Sequence, residues 1–114
     1  MDNQSTTPDI LMIAVIQAQD VDHAESALDK TKINITRMAS TGGFLGRRNA
    51  TLFLGMPADR EEIVLQKIKK TCRQRVEYIA VPLESAPLPL PAPTPVTIGG
   101  AKIFVLDVEH FEEI

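Results

Sequence analysis

The feature that most constrains the fold is the unbroken apolar run "ILMIAVI", residues Ile10–Ile16, which polar residues flank on both sides. A strand with one face in water alternates apolar and polar side chains, whereas a run that is apolar throughout is typical of a strand covered on both faces. The run is far shorter than the roughly 18 apolar residues that a membrane-spanning helix needs. The sequence therefore predicts a strand near the N-terminus with both faces covered by other parts of the protein or by a partner.

The patterns that follow this strand alternate between helix and strand. Asp20 is predicted to cap a first helix, because apolar residues recur at spacings of three and four directly after it. The further predicted elements are a strand over Ile33–Ser40, a strand over Ala50–Met56, a helix over Asp59–Cys72, a strand over Arg75–Val81, and strand material on both sides of Gly99 and Gly100. This order predicts an α+β fold, a ferredoxin-like βαββαβ sandwich with an extra C-terminal strand. Two helices would cover one face of a four-stranded antiparallel sheet.

Length and proline content set the expected domain organisation. A chain of 114 residues fits one domain. We expect residues 1–9 to be a flexible polar leader and residues 10–114 to form that domain. Within it, residues 40–49 are predicted to be a glycine-rich loop. Because residues 82–95 contain six of the eight prolines, they are predicted to be an extended, polyproline-like loop in which no core strand or helix forms.

The second face of the predicted sheet needs a cover of its own. The helices protect one face only, while the first strand is apolar on both. Symmetric association of sheets is the simplest way to bury such a surface. The sequence therefore predicts a homo-oligomer.

Composition argues against several functional classes. The net charge is −3, which disfavours a nucleic-acid polymer as a partner, and the lack of tryptophan disfavours a stacking platform for single strands. The polar, acidic N-terminus does not resemble a secretory signal, and no membrane insertion is expected. The single cysteine, Cys72, excludes an intramolecular disulfide framework and favours a cytoplasmic location. We expect Cys72 to be a small core residue.

The segment "STGGFLGRRNATLFLG", residues 40–55, does not fit two established nucleotide-binding or RNA-binding loop types. A phosphate loop of nucleotide hydrolases needs Gly-Lys-Ser/Thr ahead of a helix, and neither that motif nor a helix follows here. An RNA-recognition module shares the βαββαβ order but needs alternating aromatic residues on its third strand, where this chain has only Phe53. Both functions are disfavoured.

Two interpretations of this segment remain open. In the first, the glycines turn a hairpin and Phe44 packs into the core. In the second, the segment binds a small nucleotide: the amides of Gly42 and Gly43 hold an anion, Phe44 stacks on a base, Arg47 pairs with phosphate and Asn49 bonds an adenine edge. Spacing alone favours the hairpin.

Four blocks of sequence together resemble one known family. They are "IAVIQAQD" (Ile13–Asp20), "ITRMASTGGFLGRRNATLFLG" (Ile35–Gly55), "KKTC" (Lys69–Cys72) and "VTIGGAKIFVLDVEHF" (Val96–Phe111). In order and spacing they are similar to the PII-like cyclic di-AMP receptors. The resemblance implies a ferredoxin-like homotrimer without catalytic activity or cofactor. Such a protein binds the bacterial second messenger cyclic di-AMP between subunits and rearranges long loops on binding.

The resemblance also implies a set of ligand-binding residues. By position these are Thr36, Gly43, Phe44, Leu45, Asn49, Gly55 and Phe104. Gly42 and Arg47 are added to this set because the second interpretation above, in which the segment binds a small nucleotide, assigns them to the ligand. Two positions depart from the family pattern: Asn34 stands where a charged side chain occurs in relatives, and Glu113 stands where the pattern has glutamine. Both are kept as candidate ligand-binding residues.

The alternative function is a PII-type sensor of ATP, ADP or a divalent metal. His23 and His110 lie far apart in sequence and show no metal-ligand spacing, so no metal-binding residue is predicted. No catalytic constellation is visible either. The downstream protein partner is not indicated by the sequence.

Overall fold

The computed structural model describes residues 7–39, 48–81 and 92–114. Within these ranges the chain forms β1 (Ile10–Gln17), α1 (Ala18–Asp29), β2 (Asn34–Ala39), β3 (Asn49–Met56), α2 (Glu61–Thr71), β4 (Arg75–Val81), β5 (Ala92–Ile98) and β6 (Ala101–Asp107), with a short 3₁₀ turn at Ala58–Arg60 before α2. Neither of the two helices described, which have 12 and 11 residues, is long and apolar enough to cross a membrane.

The main sheet has four antiparallel strands in the order β2-β3-β1-β6. The predicted ferredoxin-like βαββαβ arrangement is confirmed, but a different strand completes the sheet. The sequence pattern predicts Arg75–Val81 as the fourth strand of this sheet, whereas β6 pairs with β1 and β4 pairs with β5. Ile103 of β6 packs against the core, while Val76 and Tyr78 of β4 are exposed. Ile103 thus gives β6 an apolar contact with the core beside β1, which Val76 and Tyr78 of β4 do not make.

The core lies between this sheet and the two helices. Alternate residues of β1 and β3 face the helices, among them Met12, Leu52 and Leu54, which are fully buried. Leu28 of α1 and Val64 of α2 pack on them with no exposed surface. Burial of each such side chain contributes roughly 1.5–3 kcal/mol relative to exposure.

The other face of the main sheet carries no helix in the part of the protomer that the structure describes. We call this surface the open face. The strand residues on it are Leu11, Ile13, Val15 and Gln17 of β1, Asn34, Thr36 and Met38 of β2, Asn49, Thr51, Phe53 and Gly55 of β3, and Lys102, Phe104 and Leu106 of β6. Phe104 is 56% exposed and Leu106 is 48% exposed. The helices thus cover β1 on one side only.

Strands β4 and β5 form a separate two-stranded antiparallel ribbon. The ribbon includes Pro93 and Pro95, so the prediction that residues 82–95 form no strand is wrong from Ala92 onwards; residues 82–91 lie outside the described residues. Proline lacks an N–H group, and it fits a strand only where that group would point away from the partner. Pro93 and Pro95 are two residues apart and therefore point their nitrogens towards the same edge.

Helix α1 begins earlier than the sequence predicts. Its first residue is Ala18, and Asp20 lies within the first turn instead of capping it. Asp20 is only 5% exposed, and its carboxylate binds Arg75 at the start of β4, with Nη2 to Oδ1 at 2.8 Å. Asp20 thus acts in a long-range ion pair at the base of the ribbon.

Candidate functional site

A cavity of about 310 Å³ lies on the open face where β2, β3 and β1 meet the C-terminal segment. We call it the β2–β3 cavity. Three of the predicted ligand residues, Asn34, Thr36 and Gly55, line it together with Phe53 and Phe111. The structure therefore brings these three residues into one place.

Strand register explains why they meet. In the β2–β3 pairing Asn34 lies opposite Gly55, and Thr36 lies opposite Phe53. Gly55 keeps space open between Pro8 and Asn34, because a Cβ atom at this position would fill it, 3.4 Å from Cβ of Pro8 and 3.7 Å from Cβ of Asn34. The backbone amide of Val108 donates to the carbonyl of Asp9 at 2.9 Å, which fixes the C-terminal wall.

The lining of this cavity can bind a flat, polar-edged ring. The side chains of Asn34 and Thr36 are exposed and have no hydrogen-bond partner within the described residues. The rings of Phe53 and Phe111 offer apolar faces beside them. An amide that both donates and accepts, a hydroxyl and two aromatic faces suit a purine and its sugar.

Asn49 lies in a second cavity, of about 230 Å³, at the opposite end of β3. We call it the β1–β6 cavity. Gln17 lies opposite Asn49 in the β1–β3 pairing, and Gln74 and Lys102 complete the polar lining. Asn49 and Gly55 are six residues apart on one strand, which corresponds to about 20 Å. A single protomer therefore does not bring Asn49 to the β2–β3 cavity.

The remaining predicted ligand residues fall in three places. Phe104 lies on the open face opposite Ile13 and lines neither cavity. Glu113 is exposed in the C-terminal segment. Gly42, Gly43, Phe44, Leu45 and Arg47 lie outside the described residues.

The similarity of the chain to known proteins identifies its family. The family model described as "Cyclic-di-AMP receptor" matches residues 10–114. The chain belongs to the cyclic-di-AMP receptor family. A solved structure, described as that of a functionally unknown protein from Pediococcus pentosaceus, is similar to the chain with 30% sequence identity and a TM-score of 0.73. The match covers 96% of this chain and 100% of the other.

Membership of the cyclic-di-AMP receptor family supports binding of cyclic di-AMP in a signalling role, and it points to a binding protein instead of an enzyme. The resemblance noted in the sequence did not assign Phe53 or Phe111 to the ligand. Strand alternation could have placed Phe53 beside Thr36, but nothing local indicates that the chain returns to place Phe111 there.

The glycine pair after β5 has a fixed backbone. Gly99 and Gly100 have φ values of 85° and 90°, in the region that favours glycine. The Gly99 amide donates to Oε1 of Gln17 at 2.9 Å, and the Gly100 amide donates to the carbonyl of Cys72. These bonds fix one wall of the β1–β6 cavity.

The ribbon of β4 and β5 is anchored to α1 through Arg75. Its guanidinium donates to both carboxylate oxygens of Asp20, at 2.8 and 3.4 Å, and to the carbonyl of Arg73 at 3.1 Å. The hydrogen bond to Asp20 raises the pKa of Arg75, although desolvation opposes the shift. The base of the ribbon thus lies beside the glycine wall of the β1–β6 cavity, since a Cβ atom added at Gly99 would lie 2.8 Å from Nη1 of Arg75.

No three His, Cys, Asp or Glu side chains among the described residues lie close enough together to hold a metal ion. His110 pairs with Glu112, with Nε2 and Oε1 at 3.1 Å, at the margin of the β2–β3 cavity.

Proposed function

We propose that this chain is a non-enzymatic signal-transduction protein that binds cyclic di-AMP in clefts between the subunits of a homotrimer. The observation that carries the proposal is the match of the receptor family model to residues 10–114. The polar groups of the β2–β3 cavity, which have no partner within the described residues, and its aromatic rings support an adenine nucleotide as the ligand class.

A cleft between subunits accounts for the distribution of the ligand residues. Asn34, Thr36 and Gly55 lie at one end of the sheet, and Asn49 lies about 20 Å away at the other. A neighbouring copy packed against the open face would bring its Asn49 end towards the first protomer's β2–β3 cavity. Exposed Phe104 and Leu106 support such packing, because neighbouring copies would bury them.

Within that cleft we assign roles by chemistry. The hydroxyl of Thr36 donates to a phosphate or ribose oxygen, and the amide of Asn34 bonds a base edge. Phe53 and Phe111 supply apolar faces for the adenine ring. From the neighbouring copy, Asn49 bonds the adenine edge through both atoms of its amide. Gly42, Gly43, Phe44, Leu45 and Arg47, with Phe104 and Glu113, complete the proposed contacts.

Binding changes the conformation of the segment at residues 40–49, and so alters a surface that a downstream protein recognises. This is a shift between two populations and requires the ligand to bind one of them more tightly. The amide of Ala18 donates to the carbonyl of Arg48 at 2.9 Å, which supports a fixed end for that movement at the start of α1. Because a second messenger acts inside the cell, we place this function in the cytoplasm.

The test is calorimetry of the purified chain with cyclic di-AMP, ATP, ADP and Mg²⁺ in parallel. We expect binding of cyclic di-AMP in preference to the others. Thr36→Val keeps the shape of the side chain but removes its hydroxyl, and should weaken cyclic di-AMP binding by about tenfold. The matched control is Thr51→Val, which lies on the same face of the sheet but lines neither cavity.

Preference for ATP or a divalent ion over cyclic di-AMP would contradict the proposal and favour the alternative sensor. Equal binding by Thr36→Val and the parent protein would contradict the role of the β2–β3 cavity alone.

A further inference from the structure

The open face carries a single charge. Of its strand residues, all of which the structure describes, Lys102 is the only one with an ionisable side chain that is charged at neutral pH. Lys102 pairs in register with Val15, and the next residues along the same face of β6 are Phe104 and Leu106. A lone ammonium thus lies at the border of an apolar surface.

Lys102 has no partner of its own chain within the described residues. Its ammonium makes no ion pair or side-chain hydrogen bond there, in contrast to Arg37, which binds Asp22 at 2.7 Å and Glu25 at 2.9 Å. Its side chain instead lines the β1–β6 cavity, which also contains the predicted ligand residue Asn49. The cavity therefore combines a free cation with neutral amide groups.

Covering the open face would make this charge costly. An ammonium withdrawn from water without a counter-charge is strongly destabilising, so a subunit packed on this face must leave Lys102 in water or supply it with an anion. The strand residues of this face include no carboxylate that a second copy could offer from the same surface. A phosphodiester would meet the requirement, and cyclic di-AMP contains two.

The β2–β3 cavity does not supply the cation that these phosphodiesters need. Among its described lining residues only His110 can become positively charged, and its ring already pairs with Glu112. Asn34, at the position where relatives can have a charged side chain, is neutral. Arg47, which the sequence assigns to one phosphate, lies outside the described residues, and among the described cavity-lining residues it is Lys102 that places a cation in the β1–β6 cavity.

We propose that Lys102 binds a phosphodiester of the ligand in the cleft between subunits. This inference rests on the proposed function and deepens it by naming the cation. The Nζ group of Lys102 donates to the non-bridging phosphate oxygens, while Asn49 in the same cavity bonds the base. The Gly99–Gly100 wall, held by Gln17, keeps the start of β6 in position for this contact.

The experiment compares cyclic di-AMP binding by the parent protein, Lys102→Gln, Lys102→Arg and the control Lys30→Gln. Lys30 is an exposed lysine at the end of α1 and lines neither cavity, so its variant has the same change in net charge. Calorimetry at several salt concentrations gives the affinity and its dependence on salt. Thermal melting checks that each variant is folded.

We expect Lys102→Gln to bind cyclic di-AMP about tenfold more weakly, with a smaller dependence on salt, because one charge-assisted contact is lost. Lys102→Arg should keep most of the affinity, and Lys30→Gln should match the parent. Parent-like affinity and salt dependence in a folded Lys102→Gln would overturn the inference and leave the proposed function intact. If the parent protein itself did not bind cyclic di-AMP, the proposed function would fail, and this inference with it.

Discussion

At the scale of single residues, the buried thiol of Cys72 links the core to pH. Cys72 is fully enclosed, as expected from the sequence, and burial raises the pKa of its thiol, with the hydroxyl of Thr71 opposing the shift from 3.6 Å away. The folded chain therefore keeps the thiol proton at pH values where the unfolded chain has released it. The contribution of this thiol to the free energy of unfolding is therefore fully present below the ordinary thiol pKa of about 8.5, and it is lost as the pH rises above that value.

We expect Cys72→Ala to be less stable than the parent at pH 7, because atoms are removed from the core, but to lose less stability between pH 7.5 and 10. Denaturant unfolding at a series of pH values measures both effects. Groups other than Cys72 titrate alike in the two proteins, so the difference between the two curves isolates the thiol. Parallel curves would contradict a raised pKa.

A second prediction at this level concerns the glycine pair. At Gly99 the backbone is in the left-handed region, and a Cβ atom would collide with the carbonyl of Arg73 and lie 2.8 Å from Nη1 of Arg75. Gly99→Ala should therefore lower the free energy of unfolding by about 1–3 kcal/mol. Gly55→Ala is the matched control, since its Cβ would make ordinary contacts at 3.4–3.7 Å. Equal losses in the two variants, measured by urea unfolding, would show that the collision is relieved cheaply.

At the scale of elements, periodicity was sufficient for most strands and for both helices, although not for the start of α1 or for β5, and it did not predict which strands pair. The apolar stripe of α2 and the continuous run of β1 depend on neighbours in sequence, and both elements form where predicted. Whether β4 or β6 joins β1 depends on pairing between residues far apart in sequence, such as Ile13 with Phe104, which no local pattern reports. Asp20 shows the same limit, because its partner Arg75 is 55 residues away.

The candidate site divides along similar lines. Asn34, Thr36 and Gly55 could be grouped from sequence, since a hairpin register brings β2 and β3 side by side. Asn49 lies away from these three residues because β3 runs unbroken from Asn49 to Met56, which places Asn49 and Gly55 near opposite ends of one strand. Lys102 belongs to no sequence motif. Its importance depends on the sheet, which surrounds it with uncharged residues on the open face.

At the scale of the whole molecule, the open face predicts the assembly. The parent chain of 12.5 kDa should have a solution mass about three times that value. Leu106→Glu places a carboxylate on the open face and should shift the protein to the monomer. Val105→Glu adds the same charge one residue earlier, on the opposite face of β6 at a similarly exposed position, and should leave the mass unchanged.

Light scattering coupled to size-exclusion chromatography measures these masses. A monomeric parent protein would contradict the proposed homotrimer. Dissociation of both variants would indicate that the helix-side face of β6 also takes part in the assembly.

The ribbon of β4 and β5 has a consequence for behaviour at high concentration. Within the described residues, β4 and β5 pair only with each other, and an unpaired strand edge can accept strands from other chains and start a fibril. Because a proline nitrogen has no hydrogen to donate to β4, Pro93 and Pro95 fit β5 with both nitrogens on the outer flank, where an added strand would find no hydrogen-bond donor at either position. The prolines therefore protect the protein from self-aggregation along this flank.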